Sequence, residues 1–344
     1  MKKSCLGLIV FALVLCVVST GYVPSCWGME VGGVEEETVL VLFPELQKWE
    51  QNMMKYGSRY EGQSREIIRE GYISEAKVWY YDGTRVYYQL ADYTGDPQWN
   101  AFAENCLRTY RGYVFALNGK VPGWRIFPHG LHMHFKRTGD EKSKEAAILL
   151  SKNSPYASVG GGPREEYSRE TAYCINAYLV AEALGEPRHP KLEQAVEYAL
   201  GHIDQWFVQN VSRNWAPFMF GLTCEALISY HDKVRKDPRI LSAIKMGLDE
   251  CWKRAWNEEK QAFFYRADHP TDAAPDLNLL VAPTFAWMYL QTGDTKYRDQ
   301  GDKVFAGGVR GALLEGGKQF SQNYRWSFEY VKWRSEAEIH RMEH

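Results

Sequence analysis

The chain has 344 residues, with 41 Lys and Arg against 43 Asp and Glu and a formal charge of −2. Charges of both signs alternate along it, with no basic face for nucleic acid and no run long enough to form a charged tail. Aromatic residues are abundant, at 12 Trp, 22 Tyr and 15 Phe, which suits a large core, stacking surfaces for a ligand, or both.

The N-terminus reads differently from the rest. Met1-Lys2-Lys3 is a short basic start, and Leu6 to Val18 is an apolar run of signal-peptide length, short for a bilayer span. Residues 1–28 are read as a secretory signal cleaved near Gly28; a lipoprotein anchor on Cys16 or Cys26 is the alternative, without the usual small-residue context. Export to a periplasm or beyond follows, with no stable membrane insertion after cleavage. Cys106, Cys174, Cys224 and Cys251 remain, in apolar helix-like segments that suit buried thiols and at no metal-binding spacing.

From there the chain repeats a joint. "TGDP" at 94–97, "TGDE" at 138–141 and "TGDT" at 292–295 each close an apolar segment. Gly accepts the left-handed conformation that ends a helix, and Asp caps the next one. Looser versions stand in "LGEPRHP" (184–190) and "RKDPRI" (235–240). Taking Gly95, Gly139, Gly185, Lys236 and Gly293 as joints gives spacings of 44, 46, 51 and 57 residues, the period of a stacked helical hairpin. The flanking segments carry apolar residues at three- and four-residue intervals. Five hairpins are visible. A sixth forms if a C-terminal helix near 321–338 pairs with an N-terminal one near 36–56, closing a ring of twelve helices with the first of each pair inside.

From about residue 36 to 338 this pattern resembles the (α/α)6 toroids of the six-hairpin glycosidase and polysaccharide lyase superfamilies. The resemblance implies an all-α fold, one domain over 29–338 with a tail at 339–344, and a carbohydrate substrate. The same ring serves terpene cyclases, prenyltransferases and lanthionine cyclases, but neither an Asp-rich magnesium run nor a Cys-His zinc set is present.

Tight turns at one end leave the long connections for the other: 118–130, 153–170, 210–218, 257–278 and 315–326, with "AKVWYYDGTRVYY" (76–88) opening toward them. Loops gathered on one face of a rigid scaffold are where sites are built. Trp79, Tyr80, Trp124, Tyr167, Trp215, Tyr265, Tyr324 and Trp326 offer flat faces to a sugar ring. Arg125, Arg213, Asn214, Arg266, Gln322, Asn323 and Arg325 offer polar partners. So many arginines point to an acidic sugar, whose carboxylate a guanidinium grips in bidentate fashion. Several of these aromatics serve equally well as core.

Hydrolysis of a glycosidic bond needs two carboxylates. Asp82, Glu165, Glu166, Glu170, Asp268, Asp272 and Asp276 fall on the loop side, and Asp82 sits among aromatics in "WYYDG". Asp272 and Asp276 serve alternatively as helix caps. Asp82, Glu166, Glu170, Asp268 and Asp272 carry the expectation of a carboxylate pair. A lyase or uronyl epimerase would instead use Tyr265 or His129 as base with Asn214 and arginines; "SRNWAPF" resembles the Asn- and Trp-containing stretch of toroidal alginate and heparin-type lyases, without their Asn-His pairing. "HGLHMH" (129–134) presents no three imidazoles on one face, so neither metal nor cofactor is expected. The reading is an exported toroid acting on an anionic polysaccharide, as hydrolase, as lyase, or as a non-catalytic glycan binder of an export system. Its oligomeric state is not legible.

Overall fold

The computed structural model describes residues 43–60, 73–212 and 215–342; the signal segment, Arg213 and Asn214 lie outside the described residues. Among the described residues, twelve α-helices run in chain order: α1 (Leu46–Arg59), α2 (Gly83–Thr94), α3 (Gln98–Ala116), α4 (Pro128–Thr138), α5 (Glu141–Asn153), α6 (Ser168–Ala183), α7 (Leu192–Phe207), α8 (Pro217–Lys233), α9 (Pro238–Ala255), α10 (Asn278–Thr292), α11 (Thr295–Arg310) and α12 (Gly317–Met342). Among the described residues the strands are β1 (Trp256–Asn257) and β2 (Ala262–Phe263), an antiparallel pair inside the 256–277 loop.

The even-numbered helices form the inner ring. α2 packs on α4, α4 on α6, α6 on α8, α8 on α10, α10 on α12, and α12 returns to α2. Sequence explains the sorting. α10 is buried at every position from Asn278 to Tyr289, as a helix covered on all sides must be. α9 buries one stripe, Ile240, Ile244, Gly247, Leu248, Cys251 and Ala255, and leaves the opposite face to water. α1 closes the circle from outside. Trp49 lies between the ends of the chain, its indole N–H donating to Ser327 Oγ at 2.9 Å while Tyr324 donates to the Trp49 carbonyl at 2.8 Å. The chain is thus an (α/α)6 toroid of six hairpins. α1 begins at Leu46 and α12 runs over Gly317–Met342, longer than the 321–338 expected.

The TGD joints take one form three times. Gly95, Gly139 and Gly293 stand at φ 69°, 72° and 67°, capping α2, α4 and α10 in the left-handed region. The preceding threonine does two jobs. Thr94, Thr138 and Thr292 donate back to the carbonyls of Leu90, His134 and Met288 at 2.7, 2.8 and 2.7 Å. Each hydroxyl then accepts the N–H of the following aspartate, Asp96, Asp140 or Asp294, at 3.2 Å. Asp96 and Asp294 in turn receive N–H groups of the next helix, from Gln98 at 2.9 Å and Lys296 at 3.0 Å. The joints lie at the C-terminal ends of the inner helices, so all six inner N-termini gather at the loop end. Cys106, Cys174, Cys224 and Cys251 are buried, and no two of them are joined to each other.

Candidate functional site

At the loop end, the inner helices surround a mouth made of two adjoining cavities. The central one, about 330 Å³, is walled by Tyr81, Arg169, Phe218, Met219, Leu222, Tyr265, Asp276, Leu280, Lys318 and Gln322. Its neighbour, about 320 Å³, shares Phe218, Met219 and Tyr265 and adds Glu165, Glu166, Trp215 and Arg266. Helical spacing builds these walls: Phe218 and Leu222 on α8, and Lys318 and Gln322 on α12, are four residues apart and share a face. The loops are tied together above them. Tyr265 N–H donates to the Asp272 carbonyl at 2.6 Å and Ala267 N–H to the Trp215 carbonyl at 2.9 Å, which holds the Tyr265 ring 5.5 Å from that of Phe218.

The charges of the central cavity are unevenly matched. Arg169 spends its Nε and Nη2 on Glu170 Oε1, at 3.1 and 2.7 Å. Lys318 has no carboxylate within ion-pair distance among the described residues; its ammonium lies 5.0 Å from the Tyr80 ring centre and 5.8 Å from that of Tyr81. Asp276 faces the same space, and burial holds its carboxyl above its ordinary pKa.

Beneath the mouth lies an enclosed polar layer. Tyr81 and Asp82 are consecutive non-glycine residues at φ 58° and 62°, a strained turn that feeds Asp82 into the interior. Its carboxyl accepts the N–H of Gly130 at 3.0 Å and of Arg85 at 3.3 Å, stapling α2 to α4. A Cβ on residue 130 would collide with Asp82 Oδ1, so glycine is required there. Burial raises the Asp82 pKa despite the opposing pull of Arg325. Arg85 reaches Glu225 and Glu329, each at 2.9 Å. Glu225 also accepts Trp326 Nε1 at 2.8 Å and lies 3.5 Å from Arg325. Burial alone would raise the Glu225 pKa, but Arg325 and Arg85 hold it below its ordinary value.

Several residues expected at the mouth are elsewhere. Trp79, Tyr80, Tyr324, Trp326, Asn323 and Arg325 are at most 4% exposed and belong to the core. α12 starts at Gly317, so its face toward the mouth carries 318 and 322 and turns 323–326 inward. Asp82 is enclosed at 2% exposure, and Glu170 is buried against Arg169. Both have become structural partners of their neighbours. His129 lines a different cavity, at the turn end. Asp268 and Asp272 are exposed on the 256–277 loop and line neither mouth cavity. Tyr167 carries the Arg164 guanidinium 5.4 Å from its ring and lines neither cavity. Trp124 stands 40% exposed at the rim, 5.9 Å from Arg169, beside Arg125, which Glu75 holds at 2.5 Å. Glu166, Trp215, Tyr265 and Arg266 do reach the mouth. Arg169 and Lys318 escaped the sequence reading; their signal was position, at the first turns of inner helices.

This architecture, an (α/α)6 ring of helical hairpins, has counterparts among solved structures. Among solved structures, the chain is similar to an unsaturated glucuronyl hydrolase of Streptococcus agalactiae, with a TM-score of 0.61 at 10% identity over 89% of this chain and 99% of that one. An unsaturated glucuronyl hydrolase of Bacillus sp. GL1, responsible for the degradation of glycosaminoglycan, matches with a TM-score of 0.58 at 10% identity over 86% and 96%. The Lin0763 protein of Listeria innocua matches at 0.54 and 12% identity over 85% and 98%. No protein-family model matches the sequence, and no curated protein does. At these identities the likeness carries the fold.

Proposed function

We propose that the chain is a glycoside hydrolase of anionic, uronic-acid-bearing oligosaccharides, with Asp276 as proton donor. The observation that carries this reading is the presence of opposites in one cavity: a partly buried carboxyl and an ammonium without a carboxylate partner among the described residues, between aromatic walls. A raised carboxyl pKa is what a general acid requires near neutral pH. Lys318 and the free edge of the Arg169 guanidinium suit a sugar carboxylate, and six inner-helix N-termini bias the mouth toward anions. Tyr81, Phe218 and Tyr265 supply the apolar faces. Glu165 and Glu166, across the shared wall, are the carboxylates available as base. The two glucuronyl hydrolases among the structural neighbours agree with an anionic sugar.

The test uses intact uronic-acid polysaccharides and oligosaccharides ending in an unsaturated uronide, followed by reducing ends and by the ultraviolet absorbance of the enol ether. Hydrolysis raises reducing ends without creating that absorbance, and removes it if the unsaturated end is attacked. Asp276→Asn should cut turnover by about 10²–10⁴-fold, and Lys318→Met should act mainly on KM. Wild-type turnover in Asp276→Asn would overturn the assignment. Tyr265, on the wall of both cavities, favours one second reading: if absorbance and reducing ends rise together, the chain is a lyase with Tyr265 as base. We also propose that the protein is exported, on the basic-then-apolar N-terminus; N-terminal sequencing of protein secreted by an expressing cell tests cleavage near Gly28.

A further inference from the structure

The ring has a second opening. At the turn end, a cavity of about 400 Å³ lies among α2, α4, α8 and α12 and shares no residue with the two at the mouth. The buried Arg85–Glu225 pair forms its ceiling. One side is apolar, made by Trp333 and Ile228. The Trp333 indole is partly exposed, with no ring stacked on it and no acceptor for its N–H among the described residues.

The rest of the lining offers hydrogen bonds in both directions. Gln89 is 5% exposed, yet its Oε1 has no partner among the described residues. Burial and nearby Lys233 lower the pKa of His132. Lys233 has no carboxylate in ion-pair range among the described residues, and Glu329 uses one oxygen on Arg85, leaving the other. The remaining carboxylates of the cavity are matched internally, Asp232 by Lys236 and Asp92 by Arg137. An anion entering here would meet the negative ends of the inner helices, and a cation would meet Lys233. A hydroxyl both donates and accepts. A flat apolar ring in one lining with such groups fits a ligand with one C–H face and several hydroxyls.

We infer that the turn end is a second carbohydrate site, seating a neutral hexopyranose unit on Trp333 with its hydroxyls toward Gln89, His132, Lys233 and Glu329. The site stands on its own lining and does not depend on the chemistry of the mouth.

The experiment is saturation-transfer NMR and calorimetric titration with the methyl hexopyranosides of glucose, galactose and mannose, on wild type and on Trp333→Ala, Ser229→Phe and Lys318→Met, with folding checked by thermal melting. At least one glycoside should bind wild type and Lys318→Met alike. Trp333→Ala should weaken that binding by about tenfold through loss of the stacking face. Ser229→Phe, which fills the cavity from α8, should abolish it and serves if Trp333→Ala does not fold. No binding by wild type, or binding lost in Lys318→Met and kept in Ser229→Phe, would overturn the inference. Turnover in the mouth assay should be unchanged by Ser229→Phe; a protein that binds the glycoside there but hydrolyses nothing would retire the proposed activity and leave this site standing.

Discussion

His202, on α7, holds an imidazole where a proton is unwelcome. Its ring is fully buried, Nε2 lies 2.8 Å from the Gly162 carbonyl, and Nδ1 has no partner among the described residues. Burial lowers its pKa to about 4. The unfolded chain, with an ordinary imidazole near pH 6.5, takes up the proton first, so acidification favours unfolding between those two values. Below about 4 both states carry the proton and the effect is complete, at up to about 3 kcal/mol. Unfolding free energies measured by denaturant between pH 7 and pH 4 should therefore fall more steeply in wild type than in His202→Gln; equal slopes would refute the assignment. The same residue scale is where sequence was least legible. "WYYDG" shows an acid among aromatics, but nothing in the letters says that Tyr81 and Asp82 both turn left-handed and send the carboxyl inward to Gly130. Nor can composition separate Trp326, 1% exposed, from Trp124, 40% exposed. Burial of an aromatic depends on helix phase, which a misplaced start of α12 shifts.

Helices and their joints were far more legible, because their signals are local. Gly-Asp after an apolar run encodes a cap on each side of one peptide unit, and the spacing of three such joints with two looser ones counts the hairpins. What the letters did not convey is why threonine comes first: its hydroxyl links the last turn of one helix to the aspartate of the next. Space around the glycine is not the constraint. A Cβ at Gly139 or Gly293 would meet nothing within 4 Å, so the cost of replacement is the left-handed backbone alone, about 1–2 kcal/mol. Gly293→Ala should lower the unfolding free energy by about that amount, and Thr292→Val, which loses two hydrogen bonds, by about 1–3 kcal/mol. Denaturant titration measures both. A Gly293→Ala protein as stable as wild type would mean that the joint can re-form without the left-handed cap.

Across the whole molecule, the ring closes where the ends of the described chain meet, and local pattern could propose that closure only as the partner left over for two unpaired helices. Trp49 is the residue on which it turns. It is 1% exposed, and its ring centre lies 5.4 Å from Tyr93 on α2, 5.0 Å from Phe328 and 5.4 Å from Tyr324 on α12, and 6.4 Å from Phe305 on α11. One outer-helix side chain therefore touches the first inner helix, the last inner helix and the outer helix before it. If closure couples the six hairpins, removing this side chain should destabilise every hairpin together. Trp49→Ala should cost about 3–5 kcal/mol from the cavity and the lost burial, and leave Ser327 without its donor. In denaturant, the helical far-ultraviolet signal and the remaining tryptophan fluorescence should shift together to a lower midpoint with unchanged slope. A toroid whose hairpins contribute independently would behave otherwise. The helix signal would then split, with a minor early transition from α1 and α12 and a major one at the wild-type midpoint, and the ring would be a stack that happens to meet itself.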